Sequence, residues 1–302
     1  MAGCTDLAFR RVARRRGCPF AFLEMVKDRP VLEGNRETLR RLRTEEGDRP
    51  LGVQLLGREP ALLREAARRV EGMGADLLDL NMGCPVPKVV RAGCGAALLR
   101  EPGRVGRIVE AVASAVRLPV TVKIRSGEDG AFLEVARVAA GAGAAAVIVH
   151  GRPAGRGRRG EVDLGAIRAV KEAVAVPVVG NGGIRSGEDA RRMAAATGCD
   201  GVMVARGALG NPWLFREVAA ALEGHPAPPG PTAGERAAAL REHFAHLREL
   251  YGDDLACRIG RKVFHWYVRG TPGAAALRGR GNAIGTPDQF EELVRAFEGS
   301  DG

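Results

Sequence analysis

The stretch Ala75-Asp76-Leu77-Leu78-Asp79-Leu80-Asn81-Met82-Gly83-Cys84-Pro85 decides how the rest of the chain is read. Its apolar run, Ala75 to Leu80, has the character of a buried strand. That strand delivers an amide and a thiol into a Gly/Pro-rich loop, which continues through Gly93 and Gly95 to a small-residue helix start at Ala96. Strand ends that break into glycine-rich loops carrying Asn and Cys are where α/β enzymes keep their chemistry. The plainer alternative is a βα turn with a structural cysteine, since free cysteine is among the most buried residue types.

Similar short apolar runs recur on both sides of this stretch: Phe20–Met25, Leu51–Leu56, Val120–Ile124, Ala145–Val149, Val176–Val179 and Gly201–Ala205. Amphipathic segments of helical length lie between them, among them Pro60–Gly72, Pro102–Val116 and Gly187–Ala196. Strands that are apolar throughout and alternate with helices imply a parallel sheet covered on both faces. Pro119 and Pro177 each precede a strand, as the end of an αβ loop would. The fold class expected is therefore α/β, a (βα)8 TIM barrel, but only seven of its eight strands can be counted. Met1-Ala2-Gly3-Cys4-Thr5-Asp6 leads straight into the helix-like Leu7–Arg16, like a βα loop whose strand has been cut away. A start site drawn too late is the favoured explanation, because an unclosed barrel exposes two strand edges.

After the eighth strand position, Asn211–Glu223 reads as a helix. His225-Pro226-Ala227-Pro228-Pro229-Gly230-Pro231 then holds four prolines in seven residues, a semi-rigid linker. Thr232 and Glu235 form a capping box that opens a helix to about Leu250, with further helices to Phe297. The expected organisation is a catalytic barrel over residues 1–224, a linker over 225–232 and a helical domain over 233–302.

The 302 residues carry a net charge of +10, which favours a polyanionic partner. Lysine occurs only at 27, 88, 123, 171 and 262, so nearly all of the basic charge is arginine. It clusters at Arg10, Arg11, Arg14, Arg15 and Arg16, in the loop holding Arg152, Arg156, Arg158 and Arg159, and between Arg258 and Arg280, where no acidic residue occurs. A solvated helix face accounts for the first cluster. The loop directly follows a strand end and invites a functional reading. Six scattered cysteines without a CxxC pair indicate neither a zinc site nor a disulfide framework, so no metal is expected. No apolar run is long enough to cross a bilayer and no leader precedes the first motif, which implies a soluble, cytoplasmic protein.

In a β/α barrel the reactive groups sit where strands run out at the C-terminal face. Here those positions hold Glu24, Gln54, Asn81 with Cys84, Lys123, His150, Asn181 and Arg206. Any one of them alone is as well explained by a satisfied buried polar group. A polar residue on every strand is harder to ascribe to chance. Lys123 lies inside the apolar strand Val120–Ile124, and a buried ammonium without a partner is costly, so an anionic ligand or a Schiff base is implied. Asn181-Gly182-Gly183 and Arg206-Gly207 close the last two strands. Their glycines let backbone N–H groups approach a phosphate, and Arg206 can fork onto it. A phosphorylated cofactor or substrate follows; the residues alone leave open which.

Several of these stretches resemble the tRNA-dihydrouridine synthases, over nearly the whole chain. The most specific are Asn81-Met82-Gly83-Cys84-Pro85 with Gly93-Cys94-Gly95-Ala96-Ala97-Leu98-Leu99, Val122-Lys123-Ile124-Arg125, and Val149-His150-Gly151-Arg152. Asn181-Gly182-Gly183-Ile184 and Ala205-Arg206-Gly207-Ala208-Leu209-Gly210 extend the likeness, and Arg261-Lys262-Val263-Phe264-His265-Trp266-Tyr267 resembles the bacterial B-type subfamily. The resemblance implies an FMN-dependent barrel with a tRNA-binding helical domain. Such an enzyme reduces the C5–C6 bond of uridines in tRNA to 5,6-dihydrouridine with NADPH or NADH as reductant, and needs no oligomer. It further implies Cys84 as general acid, Gln54 and Lys123 at the isoalloxazine, and His150, Gly182, Gly183 and Arg206, with Asn181 and Gly207, nearer the phosphate. Asn81 would position the uracil, and Arg152, Arg156, Arg158 and Arg159 would hold RNA.

That chemistry is physically sensible for these residues. Saturating the bond needs hydride at C6 and a proton at C5. An ordinary thiol is mostly protonated at neutral pH and can donate. A positive Lys123 would stabilise an anionic reduced flavin. Cys94 is the rival acid, though its small-residue surroundings favour packing. The competing enzyme class is an FMN barrel acting on a free pyrimidine or other small molecule, such as a dihydroorotate-dehydrogenase-like enzyme. A different class is a flavin-free RNA-binding protein that keeps the barrel as a scaffold.

Overall fold

β-Branched and leucine-rich runs form the eight short strands of one sheet: β1 (Ala21–Phe22), β2 (Val26–Lys27), β3 (Leu51–Leu56), β4 (Leu77–Asn81), β5 (Val120–Arg125), β6 (Ala146–His150), β7 (Val178–Asn181) and β8 (Gly201–Met203). The computed structural model describes residues 3–127, 130–156 and 160–299. Every pairing in the sheet is parallel, in the order β1-β3-β4-β5-β6-β7-β8, with β2 also on β3. Strands and helices alternate as in a β/α barrel. Strands β1 and β8 are the ends of the path, and among the described residues no strand joins them.

The run Phe20–Met25, expected as one strand, is two pieces on a single neighbour. Phe22 pairs with Gly52 and Val26 with Leu55, so four steps along the first strand match three along β3. One extra residue bulges out, and a bulge re-aims the side chains around it. Glu24 lies in that bulge and is buried.

Helices cover the sheet through stripes with helical spacing. Leu63, Ala66, Ala67 and Val70 are the buried residues of Pro60–Glu71. Val105, Ile108, Val109 and Val112 play the same part in Pro102–Ala113. Each leucine, valine or isoleucine buried in this way contributes about 1.5–3 kcal/mol, and a proline opens both helices where no N–H is needed.

The chain divides into two compact units. The first holds the sheet (residues 20–184 and 188–205), and the second takes in residues 4–19, 185–187 and 206–302. The helix Leu7–Arg14 thus groups with the tail helices. Ala8 enters the apolar cluster of Leu240, Phe244, Phe264, Tyr267, Phe290 and Phe297. Within that cluster the Phe244 and Phe290 rings stack at 3.7 Å. Arg11 pairs with Glu249 at 2.6 Å and Arg16 with Glu242 at 2.9 Å, while Arg10 is buried and donates to the Thr5 carbonyl at 2.7 Å. The first arginine cluster is therefore structural.

Thr232 Oγ1 accepts from the Glu235 N–H at 3.2 Å, and the Thr232 N–H donates to Glu235 Oε2 at 2.8 Å; this capping box opens a helical segment to Tyr267. Gly252, at φ 74° and ψ 166°, interrupts the segment close to the expected end at Leu250. Helices Ala274–Gly281 and Pro287–Glu298 complete the unit. Among the described residues no helix is long and apolar enough to cross a membrane.

Candidate active site

In a parallel sheet neighbouring residues in register lie side by side, and alternate residues of a strand share a face. The register pairs Gln54 with Asp79, Asp79 with Thr121, Asn81 with Lys123, and His150 with Asn181. Asp79 and Asn81 therefore share a face of β4, and Thr121 and Lys123 share a face of β5. The strands bring Gln54, Asn81, Lys123, His150 and Asn181 into one patch.

Hydrogen bonds lock the patch. Thr121 Oγ1 donates to Asp79 Oδ1 at 2.7 Å, and Gln54 Nε2 donates to Asp79 Oδ2 at 2.6 Å. Gln54 Oε1 accepts from Asn81 Nδ2 at 2.8 Å, while Asn81 Oδ1 accepts from the backbone N–H groups of Cys84, at 3.0 Å, and Gly83, at 3.3 Å. A continuous chain thus runs from a buried carboxylate to the backbone of the thiol residue. Because each partner fixes which end of the next amide is donor and which acceptor, the orientations of Gln54 and Asn81 are set.

Lys123 Nζ reaches across β6 to Asn181 Oδ1 at 2.9 Å, and Asn181 Nδ2 donates to the Met203 carbonyl at 2.8 Å. The expectation that Lys123 lacks a protein partner is corrected here. It has Asn181 as acceptor and Asp79 as counter-charge, so its ammonium requires neither an anionic ligand nor a Schiff base. Burial pushes the Asp79 carboxyl above its ordinary range, opposed by the bonds from Gln54 and Thr121 and by the charge of Lys123. Burial likewise pushes Lys123 down, while Asp79 pulls it back up. Asp79 is wholly buried. The sequence reading passed over it because it sits inside an apolar run. A carboxylate two residues before Asn81, on the same strand face, is the signal that would have found it.

The Cys84 loop is held from both sides. The Cys84 carbonyl accepts from the Ala96 N–H at 3.0 Å. Gly95 has φ 61°, and a Cβ there would lie 2.7 Å from the Cys84 oxygen. Glycine is required at this point for both reasons. The Cys84 side chain is half-buried. Cys94 Sγ, in contrast, donates to the Ala92 carbonyl at 3.5 Å, and burial followed by the charge of Asp28 pushes its thiol up.

At the end of β6, His150 Nε2 lies 3.3 Å from Arg152 Nη1; a guanidinium only donates, so Nε2 accepts and the ring carries its proton on Nδ1. Arg152 was expected on an RNA-facing rim. It is instead buried, with Nε donating to the Gly160 carbonyl at 2.9 Å and its own carbonyl accepting from Arg125 Nη1 at 3.2 Å. Its guanidinium braces the loop and His150. Arg158 and Arg159 lie outside the described residues, as does the Arg156 side chain. Gly182, at φ 121°, faces His150, where a Cβ would come within 2.9 Å of the ring; Gly183 is exposed beside it. Arg206 and Gly207 begin a short 3-10 turn in the second unit, with Arg206 exposed.

These residues suit a flavin phosphate. Ser126, after β5, is buried and its Oγ has no hydrogen-bond partner among the described residues. A buried hydroxyl left unpaired is costly, and a polar ligand would satisfy it. Gly182 and Gly183 offer backbone beside His150 for a phosphate to approach. Among the described residues no group of three or more His, Cys, Asp or Glu side chains could hold a metal ion.

Comparison with known proteins adds to this geometry. The family model described as Dihydrouridine synthase matches residues 1–300. The tRNA-dihydrouridine synthase B of Pseudomonas aeruginosa is 41% identical over 303 residues, covering 98% of this chain and 90% of the relative. The enzyme of the same name from Xanthomonas axonopodis pv. citri is 39% identical over 300 residues, covering 98% and 90%. Among solved structures, histamine dehydrogenase from Rhizobium sp. 4-9 shares the fold. It has a TM-score of 0.52 at 14% identity, covering 79% of this chain and 46% of that longer one.

Proposed function

The chain belongs to the dihydrouridine synthase family, and from that premise we propose that it reduces the C5–C6 bond of uridines in tRNA to 5,6-dihydrouridine, with FMN as cofactor and NADPH or NADH as reductant. The observation that carries the reading is the hydrogen-bonded chain from Asp79 through Gln54 and Asn81 to Cys84. It joins the proposed flavin-contacting amide, the uracil-contacting amide and the proton donor in one rigid array.

When bound, FMN supplies the hydride that C6 of the uracil receives. Gln54 and Lys123 would hold its ring, and His150, Asn181, Gly182 and Gly183 its phosphate side. Arg206 and Gly207 are further phosphate candidates by sequence position. Lys123 keeps a positive charge in this half-buried place because Asp79 is its counter-charge, which favours negative charge on a neighbouring ring. Asn81 has committed Oδ1 to the Cys84 loop and one Nδ2 hydrogen to Gln54, so its second Nδ2 hydrogen is the one it can offer a uracil carbonyl.

Cys84 Sγ gives its proton to C5 as the C5–C6 π bond is lost, and the resulting thiolate regains a proton from solvent. The target uridine must leave the RNA stack to reach this array. Arg156, Arg158 and Arg159 are proposed to hold the RNA backbone from the loop after β6. Work on tRNA would place the protein in the cytoplasm.

The test is direct. The purified protein should be yellow, should oxidise NADPH or NADH, and should add two hydrogens to uridines of tRNA from a strain lacking dihydrouridine, read by mass spectrometry. A colourless protein, or a yellow one that leaves tRNA unchanged, would overturn the reading.

A further inference from the structure

A basic cleft lies in the helical unit. Arg258, Arg261, Lys262, His265, Trp266 and Arg269 follow one another at spacings of three, one, three, one and three residues, which places them on a single helix face. Together with Arg278 and Asn282 they line a cleft of 710 Å³, within the roughly 300–1,000 Å³ typical of ligand sites. Five of the lining residues are lysine or arginine and none is acidic.

Elsewhere on these helices several cations are paired with carboxylates. Arg241 pairs with Glu291 and Glu298, Arg248 with Asp253, and Arg280 with Glu292. Arg258, Arg269 and Arg278 have no carboxylate at ion-pair distance among the described residues. Crowding like charges into one cleft is unfavourable until a polyanion enters it.

The cleft is also pre-formed. Arg261 Nε donates to the Ile284 carbonyl at 2.8 Å, and His265 Nε2 donates to the Arg278 carbonyl at 3.0 Å, tying its two walls together. The Lys262 ammonium lies 5.3 Å from the ring centroid of the half-buried Trp266. An indole among cations is the composition of sites that take an unstacked nucleotide, with phosphates on the cations and the base against the ring.

We propose that this cleft captures an unpaired nucleotide of the tRNA other than the uridine that is reduced, with its base against Trp266 and its flanking phosphates on Arg258, Arg269 and Arg278. The proposal rests on tRNA as the substrate. Recognition then depends on the spacing along the RNA between two unpaired nucleotides, and a tRNA with the target uridine but no second unpaired base would be a poor substrate.

The experiment titrates the full-length, flavin-loaded protein with unmodified tRNA at several salt concentrations. The only tryptophans are Trp266 and the buried Trp213, so a base on Trp266 should quench fluorescence in the wild type and leave Trp266→Phe unquenched. Trp266→Ala should bind about tenfold more weakly with the same salt slope, and Trp266→Phe should recover most of that loss. Arg258→Gln and Arg269→Gln should each lower the slope of log affinity against log salt by about one. Wild-type protein that binds tRNA without quenching, with Trp266→Ala and both arginine variants equally tight, overturns the proposal alone. Wild-type protein that binds no tRNA overturns the substrate reading and this proposal together. Unfolding of Trp266→Ala leaves the arginine slopes and the Trp266→Phe fluorescence to decide.

Discussion

Asp79 Oδ2 accepts a 2.6 Å hydrogen bond from Gln54 Nε2, so a wholly buried carboxylate sets the orientation of the amide assigned to the flavin. Two substitutions separate its charge from its hydrogen bonds. Asp79→Asn can keep both bonds, because the Thr121 hydroxyl can turn and accept instead of donating. The charge is lost. Since Asp79 holds Lys123 up against the effect of burial, the Lys123 ammonium should then give up its proton at a lower pH. The alkaline limb of the pH–activity profile should move to lower pH, and an unmoved limb would remove Lys123 from the rate. Asp79→Ala leaves the Gln54 amide unpaired, which costs about 1–3 kcal/mol, and flavin affinity should fall about tenfold or more in an absorbance titration.

Cys84→Ala should bind flavin and oxidise NADPH as the wild type does while dihydrouridine formation drops by about 10²–10⁴-fold. Nucleoside mass spectrometry on treated tRNA reads the product. Product at normal levels would assign the proton to another group, and Cys94→Ala is the companion variant that should leave it untouched.

Gly95→Ala forces a left-handed backbone onto an L side chain and pushes a methyl into the Cys84 carbonyl. Such strain costs about 1–3 kcal/mol. The variant should melt at lower temperature and lose product formation while keeping its flavin, since Lys123 and Asn181 are bonded independently of that loop. Wild-type turnover with a lowered melting point would show that displacement of the thiol does not matter.

His243 should make the protein acid-sensitive. Its imidazole is buried among Phe9 and Tyr267, with Arg16, Glu242, His246 and Lys262 as the charged or titratable neighbours, and burial pushes it down to about 3. Between that value and the ordinary histidine value of about 6.5, the unfolded chain binds a proton that the folded chain does not. Stability therefore falls as pH falls through this window, by about 1.4 kcal/mol per pH unit. His243→Gln should flatten the fall in melting temperature between pH 7 and pH 5. Parallel curves for the two proteins would place the acid sensitivity elsewhere.

The strands were legible because apolar runs bounded by Pro119, Pro177 and glycines carry their own signal, and most boundaries agree to within two residues. The bulge around Glu24 was not, because an extra residue in a strand leaves the composition of the run unchanged and shows only in the pairing with β3. Cys84, Lys123 and His150 stood out as polar residues at strand ends. Asp79 and Thr121 escaped notice as interior residues of β4 and β5, although each lies two places before a recognised site residue and so on the same face. Arginine was the least legible residue type: Arg11 and Arg16 of the first cluster pair with Glu249 and Glu242, while Arg258, Arg269 and Arg278 have no carboxylate at ion-pair distance among the described residues.

The interlocked amides have an evolutionary corollary. Gln54 and Asn81 each act as donor and acceptor at once, so exchanging one of them reverses the polarity that the next member must meet. Change there requires coordinated steps. Arg258, Arg269 and Arg278 on the 258–278 face have no carboxylate at ion-pair distance among the described residues, and each can be replaced singly without stranding a charged neighbour. On the proposed reading, a shift to a different uridine would be reached through these helices first, with the array around Cys84 left intact.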